Sequence, residues 1–176
     1  LRRVMPVIRR VARRLSIPLS IDTAKAEVAR QALDAGASLV NDVTALRGDP
    51  AMAAVVAQAR VPVILMHMRG TPRTMQRRPR YHDVVREVRA ALRQALRKAA
   101  QAGIAREHLL IDPGLGFGKT PAHNLALLRH LDRLAALAPV VVGPSRKSFI
   151  GHVLGAPVQE RVPGTLACVV YAAAHG

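Results

Sequence analysis

The stretch that decides the fold is residues 109–119, which read LLIDPGLGFGK. A run of three apolar residues ends at a carboxylate, Asp112, and a loop with three glycines follows. In proteins that alternate strands and helices, strands end at such points, and these strand ends carry active sites. Residues 140–148, which read VVVGPSRKS, repeat the arrangement with two cations between serines. The two segments together predict a pocket that binds N–H groups with one wall and anions with the other.

The same alternation runs through the rest of the chain. Apolar runs predict strands at 18–21, 38–40, 61–66, 108–111 and 139–142, and amphipathic stretches predict helices near 2–15, 24–35, 50–59, 83–102, 121–137 and 161–174. This order implies a parallel α/β sheet with right-handed crossovers. Five strands fit either an open doubly wound sheet or part of a (β/α)8 TIM barrel. We favour the barrel, because most strands end in a polar residue and a barrel brings all its strand ends to one mouth. These polar residues are Asp22, Asn41, His67, Asp112 and Ser145.

Composition indicates one domain over residues 1–176. Half of the residues are hydrophobic but only 2% are aromatic, so an aliphatic core is expected. The single cysteine, Cys168, excludes a disulfide framework and favours a cytoplasmic setting. No apolar run is long enough to span a membrane. Because a full barrel takes about 250 residues, we expect an incomplete barrel of about five strands, truncated at both ends.

The formal net charge of +16 raises the question of nucleic-acid binding. In residues 83–102, however, apolar side chains recur at helical spacing on one face, and arginines occupy the opposite face. Those arginines are Arg86, Arg89, Arg93 and Arg97. We therefore interpret them as the solvated side of an outer helix and do not predict a nucleic-acid partner.

Several of the polar residues also fit a purely local role. Asp22 fits a helix N-cap, and residues 41–42 fit an Asx turn. Asp112 precedes Pro113, which has no N–H, so we expect its carboxylate to be free of local capping. Lys119 suggests phosphate contact, but the glycine spacing is not that of a Walker loop.

The ordered set of motifs resembles dihydropteroate synthase, the folate-pathway transferase family. The matching segments are SIDT at 20–23, NDV at 41–43, LMHMRGTP at 65–72, DPGLGFGK at 112–119, HN at 123–124, SRKS at 145–148, ER at 160–161 and GT at 164–165. They occur in the family's order and span most of the chain.

This resemblance implies an enzyme that condenses a (7,8-dihydropterin-6-yl)methyl diphosphate with p-aminobenzoate, releasing 7,8-dihydropteroate and diphosphate. It also implies Mg²⁺ on the diphosphate, a homodimer at full length and a family that is a target of sulfonamides. By the same resemblance, Asp22, Asn41, Asp112 and Lys147 hold the pterin, Met66, Gly116 and Phe117 line its pocket, and Arg146 and Ser148 border the aminobenzoate and anion region. Lys147 and Asp112 are the expected catalytic residues. Independently, an ionised carboxylate accepts two parallel N–H bonds of the kind a pterin edge offers.

Two elements of the family pattern are absent: an asparagine-bearing loop that reaches the metal, and an Arg-x-His segment that binds the anion. We therefore expect the Mg²⁺ ligand to lie outside residues 1–176, no metal ligand within them, and no activity from these residues alone. The alternatives are a pterin-binding methyltransferase domain, a non-catalytic pterin-binding barrel and a basic nucleic-acid-binding module. The SRKS segment favours the synthase, because a methyltransferase has no leaving diphosphate to neutralise.

Overall fold

The structure is a computed structural model that describes residues 1–71 and 73–175; Pro72, the last residue of the predicted 65–72 motif, lies outside the described residues. Its strands are β1 (Ser20–Asp22), β2 (Leu39–Asp42), β3 (Val63–Met66) and β4 (Leu109–Asp112), which form one sheet in the order β1-β2-β3-β4. β1 pairs with β2 and β2 pairs with β3 in parallel. The helices are α1 (Met5–Ala12), α2 (Ala26–Asp34), α3 (Met52–Ala59), α4 (Val84–Gln101), α5 (Pro121–Arg129), α6 (Leu131–Ala135), α7 (Ser148–Leu154) and α8 (Val162–His175).

The fifth predicted strand, 139–142, is reduced to a single parallel bridge between Ile111 and Val140. Ile111 N–H donates to the carbonyl of Pro139 at 3.0 Å, and Val141 N–H donates to the carbonyl of Ile111 at 2.8 Å. The ladder stops there because two prolines have no N–H: Pro139 cannot donate at its start, and Pro113, the residue that would donate to the Val141 carbonyl, cannot continue it.

The helix predictions need two corrections. The predicted helix 121–137 is divided into α5 and α6 at His130, whose backbone (φ −117°, ψ 35°) is not helical. Helix α7 was not predicted, because it has only seven residues and Gly151 lies in its middle. Its Phe149 and Ile150 are nevertheless buried, so tertiary packing stabilises a segment of weak intrinsic propensity.

The side chain of Asp49 caps two helices. Its carboxylate accepts hydrogen bonds from the N–H of Ala51 at 3.0 Å, just before α3, and from the N–H of Ala26 at 2.9 Å, the first residue of α2. These two backbone bonds hold the pKa of Asp49 below its usual value. A single carboxylate thus satisfies donors that both helix starts would otherwise leave unpaired.

The chain divides into two compact units, and each has its own buried core. The first comprises residues 1–66 and 94–110, and all four residues of β3 are buried there, as expected for a parallel strand covered on both faces. The second comprises residues 67–93 and 111 to the chain end. Its fully buried side chains include Val88, Leu92, Ile111, Leu115, Leu127, Leu131, Leu134 and Phe149.

Helix α4 shows the predicted two faces. Val84, Val88 and Leu92 are buried, and Arg86 and Arg97 are exposed, but Arg89 and Arg93 are half-buried. Arg89 Nε donates to the Arg133 carbonyl at 3.0 Å, so the predicted arginine face is solvated only in part. In the described part of the chain, no helix combines the length and apolar character that crossing a membrane requires.

Candidate functional site

The loop that follows β4 is held in left-handed backbone conformations. Gly114, Gly116 and Gly118 have φ angles of 68°, 80° and 65°. Glycine is the residue that adopts this region without steric cost. At Gly118 a side chain would also collide with its surroundings, because a Cβ there would lie 3.0 Å from the carbonyl oxygen of Arg69. We call residues 114–118 the glycine loop.

Asp112 makes the local hydrogen bond that the sequence analysis did not expect. Its Oδ1 accepts from the N–H of Gly114 at 2.6 Å. The prediction that Pro113 would leave this carboxylate free of local capping is therefore wrong, because the carboxylate reaches past the proline to the next available donor. Burial raises the pKa of Asp112, and the Gly114 bond and the positive charges of Lys147 and Lys119 oppose this rise. A carboxylate has about four lone-pair sites, so the bond from Gly114 leaves acceptor sites for the N–H groups of a pterin. Pairing with a pterin stays a prediction.

Lys147 lies against the glycine loop. Its ammonium donates to the carbonyl of Leu115 and sits 4.7 Å from the centroid of the Phe117 ring. Its aliphatic stem covers Gly116, where a Cβ would come within 3.0 Å of the Lys147 Cδ. Burial lowers the pKa of Lys147, and the Asp112 carboxylate opposes this shift. In the second unit the structure thus gathers four of the predicted site residues, Asp112, Gly116, Phe117 and Lys147.

The neighbouring Arg146 and Ser148 are exposed. The backbone of Arg146 is left-handed (φ 47°), an uncommon conformation for a residue with a side chain. Two residues near the start of α8 hold it there. The Arg146 N–H donates to Thr165 Oγ1 at 2.9 Å, and Arg161 Nη1 donates to the Arg146 carbonyl at 3.2 Å. The roles of Arg146 and Ser148 toward a substrate stay predictions.

Asp22 and Asn41 meet in the first unit. They face each other in the β1–β2 register, and Asn41 Nδ2 donates to Asp22 Oδ2 at 3.1 Å. The alternative that Asp22 caps α2 does not apply, since the Asp49 carboxylate binds the first N–H of that helix. Asp22 is exposed and Asn41 is half-buried. Their predicted role in pterin binding stays a prediction.

The Asx-turn alternative does apply to Asp42, the next residue along β2. Asp42 is fully buried and accepts hydrogen bonds from the N–H groups of Thr44 and Leu46, both at 2.8 Å. The Asp42 carboxylate therefore stabilises the turn, whereas the side chain of Asn41 bonds to Asp22. Met66, at the end of β3, is 3% exposed, and its role as a wall of the pterin pocket stays a prediction.

Sequence reasoning missed what Lys119 does. Lys119 is 4% exposed. Its ammonium donates to the carbonyls of Gly114 and Phe117 at 3.0 Å each and to that of His67 at 3.3 Å, and it lies 3.1 Å from His67 Nδ1. Burial lowers the pKa of Lys119 to about 7, although the Asp112 charge opposes this shift. These contacts occupy the ammonium within the protein, and they replace the phosphate contact that the sequence suggested.

Asn124 belongs to the HN motif at 123–124, for which the sequence indicated no role. It is 1% exposed, its Oδ1 accepts from the Gly116 N–H at 2.7 Å, and its Nδ2 donates to the Thr120 carbonyl at 2.8 Å. An asparagine one turn into a predicted helix that follows a glycine-rich loop is the sequence signal that could have found it.

Across residues 1–71 and 73–175, no three side chains of the types His, Cys, Asp and Glu come together as a metal ligand set. We therefore assign no step of the chemistry to a metal ion held by these residues.

Comparison with known proteins identifies the family. The family model described as pterin binding enzyme matches residues 1–176. The chain belongs to the pterin-binding enzyme family. The family's relatives include the dihydropteroate synthase of Synechocystis, which is 47% identical over 178 residues; the match covers 100% of this chain and 62% of the relative.

Two solved structures of this family agree in fold. The dihydropteroate synthase of Xanthomonas albilineans in complex with 7,8-dihydropteroate superposes with a TM-score of 0.92 at 47% identity, over 100% of this chain and 64% of that chain. The Yersinia pestis enzyme in complex with a sulfonamide drug gives a TM-score of 0.94 at 43% identity, over 98% of this chain and 63% of that chain. The predicted fold class, part of a (β/α)8 barrel, is confirmed. The chain spans somewhat less than two thirds of the length of these relatives.

Proposed function

We propose that this chain carries the pterin pocket of a dihydropteroate synthase, which joins a dihydropterin methyl diphosphate to p-aminobenzoate and releases 7,8-dihydropteroate and diphosphate. The observation that supports this most is the arrangement of Asp112 and Lys147 around the glycine loop. A carboxylate that accepts an N–H bond directly precedes the glycine loop, and a cation from a separate segment lies against that loop, with the Phe117 ring beside the cation. The dihydropteroate and sulfonamide named for the solved relatives support the same substrate class.

The reaction makes one bond and breaks one bond. The amine nitrogen of p-aminobenzoate attacks the methylene carbon on the pterin, the bond from that carbon to the diphosphate oxygen breaks, and the amine loses a proton. In our proposal Asp112 accepts the N–H edge of the pterin, with Asp22 and Asn41 as further contacts and Met66, Gly116 and Phe117 as walls. Lys147 supplies a point charge toward the diphosphate as negative charge develops there. Arg146 and Ser148 border the aminobenzoate and anion region.

Further parts of the proposal concern the surroundings of the reaction. We propose Mg²⁺ as the cation on the diphosphate, with its protein ligand outside residues 1–176; when bound it would neutralise charge on the leaving group. We also propose that the full-length protein is a homodimer, that it is cytoplasmic and that it has no nucleic-acid partner.

The test is a measurement of stoichiometry. The full-length protein is supplied with the dihydropterin diphosphate, radiolabelled p-aminobenzoate and Mg²⁺, and both labelled dihydropteroate and free diphosphate are quantified. We expect the two products in equal amounts, and a fall in product formation when the magnesium is chelated. A protein that binds the pterin without releasing diphosphate would be a methyltransferase domain or a non-catalytic barrel, and the proposal would be wrong.

A further inference from the structure

The glycine loop is bound through its carbonyl groups. Each carbonyl from Gly114 to Gly118 accepts a hydrogen bond from a side chain elsewhere in the second unit. The donors are Lys119 to Gly114 and Phe117, Lys147 to Leu115, Gln76 to Gly116, and Tyr81 to Gly118. Loop carbonyls normally face water. Here five consecutive ones are held by protein side chains, so the backbone of the loop is fixed before any ligand arrives.

Some of the loop amides are also engaged within the protein. The N–H of Gly116 donates to Asn124 at 2.7 Å, and the N–H of Phe117 donates to the Gly114 carbonyl at 3.0 Å. A ligand at this loop therefore meets side chains and glycine surfaces rather than these backbone groups.

The four donors differ in how firmly they can hold the loop. Gln76 is exposed, and Tyr81 and Lys147 are half-buried. Lys119 alone among these four donors is buried, and it alone binds two of the five carbonyls as well as the carbonyl of His67. Of these four donors, Lys119 therefore ties together the most points of the loop backbone.

We infer that Lys119 is a positioning residue, which sets the glycine loop so that Gly116 and Phe117 face the pterin in the geometry that binding needs. The inference rests on the proposed function, because the ligand at the loop is taken to be the pterin. Lys119 contacts no substrate in this scheme; it acts through the loop carbonyls of Gly114 and Phe117. Its replacement is therefore expected to weaken pterin binding by loosening the loop rather than by removing a contact.

The experiment compares wild-type full-length protein with Lys119→Met, which removes the ammonium and keeps an apolar chain. Calorimetry measures the affinity for a 6-hydroxymethyl pterin, and hydrogen exchange follows the amides of Gly116 and Phe117. We expect the affinity to fall about 10-fold to 100-fold, because a misplacement of about 1 Å in a site can cost up to about 100-fold. The two loop amides should exchange faster, while the amides in the centre of α5 stay protected.

Two controls separate positioning from general stability. Lys98→Met removes an exposed lysine on α4 and should leave the affinity and the loop exchange unchanged. Leu134→Ala opens a cavity at a fully buried position in α6 and should lower global stability without selective exchange at the glycine loop. If Lys119→Met behaves like Leu134→Ala, with exchange rising throughout the unit, Lys119 is only a structural residue and the inference is wrong.

If Lys119→Met does not fold, a second variant is used to test the inference. Lys119→Arg keeps the charge and the donors, but a planar guanidinium cannot reproduce the three carbonyl contacts of a compact ammonium. It should fold, bind the pterin more weakly and show faster exchange at Gly116 and Phe117. Wild-type affinity and exchange in the variant that folds would overturn the inference. A wild-type protein that binds no pterin would instead overturn the proposed function.

Discussion

At the scale of single residues, the candidate site brings together opposite charges that burial penalises. Asp112 and Lys119 lie at the two ends of the segment that contains the glycine loop. Burial raises the pKa of Asp112 and lowers the pKa of Lys119 to about 7, and each charge partly offsets the shift of the other. Such opposed shifts in a cluster of buried groups are typical of functional sites. They also make both residues sensitive to substitution and to pH.

We expect Asp112→Asn to weaken pterin binding by about tenfold or more, because a donor replaces an acceptor and leaves a buried N–H unpaired at about 1–3 kcal/mol. Calorimetry with the full-length protein measures this. The matched control is Asp132→Asn, an exposed aspartate on α6, which should bind like wild type. Unchanged affinity in Asp112→Asn would remove this carboxylate from the pterin site.

The pKa of Lys119 leads to a prediction about pH. The ammonium has an ordinary pKa of 10.5 in the unfolded chain and about 7 in the folded one, so between these values the unfolded chain binds the extra proton. The free energy of unfolding of the wild type should therefore rise relative to that of Lys119→Met as pH increases from about 7 to about 10. Below pH 7 the lysine is charged in both states and adds no slope.

Urea denaturation at several pH values measures this difference. Asp112, Lys147 and His123 also respond to the charge of Lys119, so the comparison is made on the difference between the two proteins rather than on either curve alone. Parallel pH dependences for wild type and Lys119→Met would show that the lysine keeps an ordinary pKa in the folded protein.

At the scale of elements, the glycine loop is shaped by steric contact as well as by hydrogen bonds. Gly118 and Gly103 both have positive φ, 65° and 88°, but only Gly118 has backbone where a Cβ would go, with the Arg69 carbonyl at 3.0 Å. The two positions therefore offer a matched pair. The same backbone strain applies to alanine at either position, whereas the collision applies at Gly118 alone.

We expect Gly103→Ala to destabilise the protein by about 1–2 kcal/mol, the cost of a left-handed residue with a side chain. Gly118→Ala should cost more than this and should also weaken pterin binding, because the loop must shift away from Arg69. Thermal unfolding and calorimetry measure the two effects. Equal destabilisation by the two substitutions, with unchanged affinity, would mean that the contact at Arg69 relaxes without moving the loop.

The elements also show what sequence patterns can predict. The strands β1 to β4 and the amphipathic helix α4 were predicted because their apolar periodicity is local and strong. The predicted fifth strand is only a bridge because Pro113 and Pro139 lack the N–H groups that would extend its pairing. Helix α7 was missed because burial of Phe149 and Ile150, rather than propensity, stabilises it. Periodicity reports burial of one face, but it does not report which backbone donors a neighbouring strand can reach.

The candidate site was predictable to the same degree. The motif positions placed Asp112 and Lys147 just after predicted strands, and in the structure both residues lie beside the glycine loop. The local bond from Gly114 to Asp112 and the buried ammonium of Lys119 were not predictable, because each depends on the path of the loop in three dimensions. A lysine after a glycine-rich loop suggests phosphate from sequence alone, and only its burial shows that it binds the loop instead.

At the scale of the whole molecule, the dominant property is the net charge of +16. On α4, Arg86 and Arg97 are exposed as predicted for a solvated face, whereas Arg89 and Arg93 are half-buried. The helix is amphipathic, so its charge is explained by its position and does not require a nucleic-acid partner. Such a charged surface still attracts polyanions at low ionic strength.

We therefore expect mixed-sequence DNA to bind weakly and only at low salt, because contacts to phosphates alone are lost steeply as salt increases. Fluorescence anisotropy with a labelled duplex over a series of salt concentrations measures this. Submicromolar binding at physiological salt would favour the nucleic-acid module that the sequence left as an alternative.

The most direct test of the account is the turnover of Lys147→Met in the full-length protein, measured as incorporation of radiolabelled p-aminobenzoate. Lys25→Met, an exposed lysine just before α2, is the control. We predict that Lys147→Met loses turnover by about 100-fold or more, as expected when a group that stabilises developing negative charge is removed, with an unchanged circular dichroism spectrum. Lys25→Met should turn over like wild type. Full turnover in Lys147→Met would contradict the claim that Lys147, which lies against the glycine loop, serves the departing diphosphate.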